Sequence, residues 1–68
     1  MKYEMIIYWS EDDQAFIVEV PDLPGCISDG ATYEEAVRNA QEAMAAWIEV
    51  ARELGREIPQ PTTRLLSA

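Results

Sequence analysis

Val20-Pro21-Asp22-Leu23-Pro24-Gly25-Cys26 is the one stretch of this 68-residue chain in which backbone chemistry, rather than hydrophobicity, dictates a shape. Leu23 to Cys26 reads as a type II turn: Pro24 pre-sets φ at the second position, and Gly25 supplies the positive φ that the third demands. An alternating apolar run leads into this corner. A short run ending at Asp29-Gly30 leaves it, followed by a helix-start signal and a long amphipathic pattern.

Working back from the corner, Gln14 to Val20 reads as a strand, with Phe16, Val18 and Val20 on one side and Ala15, Ile17 and Glu19 on the other. Ser10-Glu11-Asp12-Asp13 is a polar loop. Before it, Tyr3, Met5, Ile7 and Trp9 alternate with Lys2, Glu4, Ile6 and Tyr8 in a first strand. A four-residue loop predicts the pairs Trp9 with Gln14, Ile7 with Phe16, Met5 with Val18 and Tyr3 with Val20. That register gathers the stronger apolar sets on one face, which is what fixes register in a half-buried sheet.

The opposite face then carries Ile6, Tyr8, Ile17 and Ile27, with Glu4 opposite Glu19 and Lys2 diagonal to it. Like charges facing each other weaken a ladder unless a cation sits nearby. Two carboxylates could instead hold a metal ion, but no further ligand type at a defined spacing accompanies them. An apolar patch on the solvent side of a sheet signals self-association or a partner. Ile6, Tyr8, Ile17 and Ile27 are therefore candidate oligomer-interface residues, together with Leu65 and Leu66 of the tail.

Forward from the corner, Cys26 to Asp29 is a short third strand. Thr32 offers its hydroxyl to the backbone N–H of Glu35, whose carboxylate can reach back in a capping box. Glu34 and Glu35 suit the positive end of a helix dipole. Ala36, Val37, Ala40, Met44, Trp47, Ile48, Ala51 and Leu54 recur at helical spacing, and Gly55 is the expected stop. Such a helix, about 22 residues and about 33 Å long, overhangs a seven-residue strand of about 23 Å. Trp47, Ile48 and Leu54 then need cover, and for Trp47 and Ile48 core or interface burial is the default over a ligand pocket. The tail 58–68 is the available cover: Ile58-Pro59-Gln60-Pro61 is extended by its prolines, and Thr62 to Leu66 has strand composition. It closes on its own sheet or is exchanged with another subunit.

The strand end V-P-D-L-P-G-C, followed by Gly30-Ala31-Thr32-Tyr33-Glu34-Glu35-Ala36, resembles the HicB-like antitoxin domain of bacterial and archaeal toxin-antitoxin pairs, over residues 2 to 60. The expected fold is α+β: a three-stranded antiparallel sheet with one long helix packed on one face and a short C-terminal strand, β-β-β-α-β, which the resemblance implies is reduced ribonuclease H-like. It also implies binding to a HicA-like toxin, a small basic RNA-cleaving protein whose active site is blocked. Longer antitoxins of the family carry a further DNA-binding domain. This chain ends at Ala68, so no direct nucleic-acid binding is expected of it.

Composition points the same way. The chain carries 13 acidic and 5 basic residues, a net charge of −8, and no histidine. Nucleic-acid binding relies on Lys and Arg to neutralise phosphates, whereas an acidic surface steers a basic partner, or simply keeps a small protein soluble. No acid-base pair or triad can be built on histidine, and no phosphate loop is present. Cys26, the single cysteine, has no identifiable base beside it; it fits a buried position and a reducing cytoplasm. No run of about 18 apolar residues indicates a membrane helix.

A chain this short buries only about 60% of its unfolded surface, so a dimer or tetramer is a natural supplement. No catalytic residue, metal or cofactor is expected. The leading expectation is an antitoxin that binds its toxin through Glu11, Asp12, Asp13 and Asp22. The alternatives are a stand-alone oligomeric module and a degenerate ribonuclease H-like nuclease. Against the last, three acids in one hairpin loop are ordinarily just a solvated turn.

Overall fold

The structure, a computed structural model, describes residues 2–62. Three strands, β1 (Ile6–Ser10), β2 (Ala15–Glu19) and β3 (Ile27–Gly30), form an antiparallel sheet in the order β1-β2-β3, and one helix, α1 (Tyr33–Glu53), follows. The expected α+β arrangement of sheet and helix is present. The expected C-terminal strand falls mostly outside the described residues; residues 58–62 run without helix or strand.

The Leu23–Cys26 corner forms as its residues dictate. Gly25 sits at φ 81, and the Cys26 amide donates to the Leu23 carbonyl at 2.9 Å. A second turn precedes it, closed by the Leu23 amide on the Val20 carbonyl at 3.1 Å, and the Val20 amide spans both to reach the Cys26 carbonyl. This double turn drives Leu23 inward to complete burial.

The register differs from the expected one by two residues. Ile7 pairs with Val18, Trp9 with Phe16 and Ser10 with Ala15. The loop still has four residues but is displaced by one, to Glu11–Gln14, because Gln14 takes the left-handed conformation at φ 51. Gln14 also ties itself back to the Glu11 carbonyl at 2.7 Å and to its carboxylate at 3.0 Å. A shift of two preserves the pleat, so every side chain keeps its expected face. Glu4 is not opposite Glu19, however: Ile6 is.

Helix α1 is capped by Thr32, whose backbone is extended and whose hydroxyl accepts the Glu35 amide at 3.1 Å. The Glu35 carboxylate reaches back to the Ala31 amide, one residue earlier than a standard capping box. The helix ends in a Schellman turn: Gly55 stands at φ 69, its amide bonds the Arg52 carbonyl, and the Arg56 amide bonds the Ala51 carbonyl at 2.8 Å.

Ala36, Ala40, Met44, Ile48 and Ala51 form the buried stripe, and α1 lies over β2 and β3. The alanine end meets Val18; the larger side chains meet Tyr3, Val20, Leu23 and Cys26. Full burial of Val18 and Leu23 contributes about 1.5–3 kcal/mol each. The overhanging helix end is partly covered. Ile58 packs on the Met44–Ile48 cluster, the Tyr3 hydroxyl donates to the Pro59 carbonyl, and the Trp47 indole donates to the Pro24 carbonyl at 2.9 Å. Leu54 is 62% exposed, and most of the tail expected to cover it lies outside the described residues.

Candidate functional site

The four acids expected at a partner surface lie in two places. Glu11, Asp12 and Asp13 are exposed together in the β1–β2 loop, where Asp13 both accepts the Ser10 hydroxyl and donates its amide to it, at 3.2 Å each. Asp22 lies beyond the opposite end of β2, half-buried, with its carboxylate accepting the Thr62 hydroxyl at 2.6 Å and the Thr62 amide at 2.9 Å. Those bonds hold the Asp22 pKa below its ordinary value. The chain's own tail occupies this carboxylate.

The face of the sheet turned away from α1 is uncovered among the described residues. Its first row is Ile6–Glu19–Ile27 and its second is Tyr8–Ile17–Asp29. Ile6, Tyr8 and Ile27 are 46%, 43% and 57% exposed, whereas Ile17, in the central strand between Tyr8 and Asp29, is buried. Three of the four expected described interface residues are therefore accessible and the fourth forms their floor. Leu65 and Leu66 lie outside the described residues.

Glu19, exposed at the centre of the first row, was legible only as a charge in conflict with Glu4. In the observed register it stands between two isoleucines and diagonal to Tyr8. Its hydrogen bond to the Tyr8 hydroxyl is the main reason the phenol's pKa is raised, with lost hydration and the charges of Glu19 and Asp13 adding to it. Beside it lies a shallow recess of about 310 Å³, bounded by Glu19, Pro21, Pro24, Gly25 and Ile27.

A second surface went unread in the sequence. An apolar groove of about 380 Å³ runs between the start of β3 and the C-terminal half of α1, lined by Ile27, Ala43, Ala46, Trp47, Val50 and Leu54. The spacing of Ala43, Ala46, Val50 and Leu54 carried the signal, a second helical stripe beside the core stripe. Along the same edge, Asn39 donates to the Asp29 carbonyl at 2.8 Å and Trp47 to that of Pro24, so helix side chains already occupy carbonyls near both ends of β3. At the far end of the helix-facing side, Phe16 stacks on Tyr33 at 4.1 Å between ring centres and meets Trp9 edge-on at 5.0 Å.

Among the described residues, no three acidic or cysteine side chains come together in a way that could hold a metal ion. Cys26 is buried, and burial pushes its thiol pKa up, away from a reactive thiolate. No helix among the described residues is long and apolar enough to cross a membrane.

Comparison with known proteins places these features. Residues 3–66 match the family model of the HicB-like antitoxin of bacterial toxin-antitoxin systems. The chain is 43% identical over 60 residues to a UPF0150 protein of Thermoplasma acidophilum, covering 88% of this chain and 86% of that one. It is 34% identical over 58 residues to antitoxin HicB 2 of Photorhabdus laumondii, covering 85% of this chain but only 42% of the relative. The crystal structure of the N-terminal domain of the Burkholderia pseudomallei antitoxin HicB superposes with a TM-score of 0.77 at 30% identity, over 93% of this chain and 73% of that one.

Proposed function

This chain belongs to the HicB-like antitoxin family of bacterial toxin-antitoxin systems, and on that premise we propose that it binds and neutralises a small basic HicA-type RNA-cleaving toxin, without catalysis of its own. The observation that carries the proposal is the family match over residues 3–66, since it takes in nearly the whole chain. The net charge of −8 supports a basic partner, because complementary fields speed encounter and reject wrong partners. The same charge disfavours direct contact with nucleic acid. Glu11, Asp12 and Asp13, exposed in the hairpin loop to face a cation-rich surface, contribute steering in this reading; Asp22 contributes less, because it is half-buried and Thr62 holds it. Action in the cytoplasm, where an RNA-cleaving toxin would do its damage, needs neither metal nor cofactor.

A second reading is favoured by one specific observation. The exposed Ile6, Tyr8 and Ile27 would suit a self-assembling module, a dimer or tetramer whose partner is itself.

Co-expression separates the two. A gene for a small basic toxin of the HicA type is induced with and without that of this chain. The antitoxin reading expects growth arrest from the basic protein alone, rescue by this chain, and a complex that survives size exclusion. Absence of both rescue and complex, with this chain eluting as a dimer or tetramer, would replace it with the second reading.

A further inference from the structure

We propose that the outer face of the sheet is the surface on which a basic protein partner docks, and that the recess between Glu19 and Ile27 receives a Lys or Arg side chain of that partner. The inference rests on the antitoxin reading and adds to it the surface and the anchor.

Three features select this face. It combines an apolar centre, Ile6, Tyr8 and Ile27 over the buried Ile17, with two exposed carboxylates, Glu19 and Asp29, which is the anatomy of a specific interface for a cation-bearing partner. The recess beside Glu19 is walled by Pro21, Pro24 and Ile27, so the aliphatic stem of a Lys or Arg would lie on apolar surface while its head meets the carboxylate.

Charge also argues against a second copy as the occupant. Of the described cations, Arg38 and Arg52 belong to α1 and Arg56 follows it, leaving Lys2 as the cation nearest this layer. Two such faces packed together would bury Glu19 and Asp29 of both copies against each other. Buried charges without partners are strongly disfavoured. A partner that supplies the missing cations removes that penalty. The groove under Val50 and Leu54 is apolar but has no carboxylate in its lining, and Arg56 is part of that lining.

The test is binding of the intact chain to a small basic toxin of the HicA type, measured by titration calorimetry, with thermal unfolding of every variant as a folding control. Glu19→Lys is expected to weaken binding by about thirtyfold or more, since it sets like charges together at a desolvated contact. Ile27→Asp is expected to weaken it by about tenfold or more, with Leu54→Asp in the groove and the triple neutralisation of Glu11, Asp12 and Asp13 costing less than either. Glu19→Gln, the conservative variant, keeps shape and removes charge, and is expected to fall between wild type and Glu19→Lys.

Binding by wild type that survives both Glu19→Lys and Ile27→Asp would overturn the docking face and leave the antitoxin reading standing. No binding by wild type would overturn both. A homodimer of the free chain that Ile27→Asp converts to monomer would assign the face to self-association and overturn the proposal.

Discussion

At Gly30 the reason for glycine is a neighbour, not a dihedral angle. A Cβ there would stand 2.4 Å from the Ala36 amide nitrogen, because α1 starts directly over the end of β3. At Gly25 the reason is the reverse: nothing lies within 4 Å, but φ is 81. The two sites are expected to separate under substitution. Gly25→Ala should cost about 1–2 kcal/mol from the left-handed conformation, and Gly25→Asn less, because Asn tolerates that region. Gly30→Ala should cost about 1–3 kcal/mol from overpacking, and Gly30→Asn at least as much. Urea unfolding of the four variants measures this; equal recovery by Asn at both positions would contradict it. The Gly25 role was legible, since a Pro-Gly pair names its own turn. That of Gly30 was not, because it depends on which backbone crosses above it. Cys26 was legible as a buried thiol, and its raised pKa sharpens the expectation. Reaction with a disulfide reagent at pH 8 should be slow in the native chain and prompt in denaturant, and prompt native reaction would show the corner to be open.

Between elements, the outcome depended on whether a constraint was local. The capping residue Thr32, the stop at Gly55 and the buried stripe from Ala36 to Ala51 all follow from spacing within one helix, and all formed as expected. The strand register did not, because it turned on Gln14 adopting φ 51, a choice that alternation of apolar residues cannot reveal. Face assignment survived since the shift was even, whereas the identity of the residue opposite Glu19 did not. That one change hid the outer-face carboxylate as a candidate anchor. The tail's attachment was also hidden: proline content indicated an extended segment, but not that Thr62 would close on Asp22 across 40 residues of sequence. This contact has a pH signature. Asp22 titrates below its ordinary 3.8 in the folded chain, so its contribution to stability is fully present above about pH 4 and is lost as pH falls through the lowered native value. Asp22→Asn should therefore lower the melting temperature at pH 6, and the gap to wild type should close on acidification below pH 4. A gap that stays constant down to pH 2 would mean that the Thr62 contact does not distinguish the two charge states.

For the whole molecule, 13 acids against 5 bases place two demands on the same charges. In the free chain they repel one another, with a range set by the Debye length, about 10 Å at 0.1 M salt and about 3 Å at 1 M. Toward a basic partner they attract at long range, and the gain appears mainly in the association rate. The two effects answer to salt in opposite directions, which makes them separable. Raising NaCl from about 0.05 to 0.5 M, which shortens the Debye length about threefold, should raise the melting temperature of the free chain. The same change should slow association with the partner by about tenfold or more, with a smaller effect on dissociation, because the short-range contacts at Ile6, Ile27 and the Glu19 recess are screened less. Stopped-flow association and thermal unfolding on one salt series measure both. If association were insensitive to salt while the melting temperature rose, the negative field would serve solubility alone, and recognition would rest on the apolar face without steering. If the melting temperature fell instead, attractive pairs within the chain would outweigh its net repulsion, and the excess of acids could not be read as held in tension for a partner to relieve.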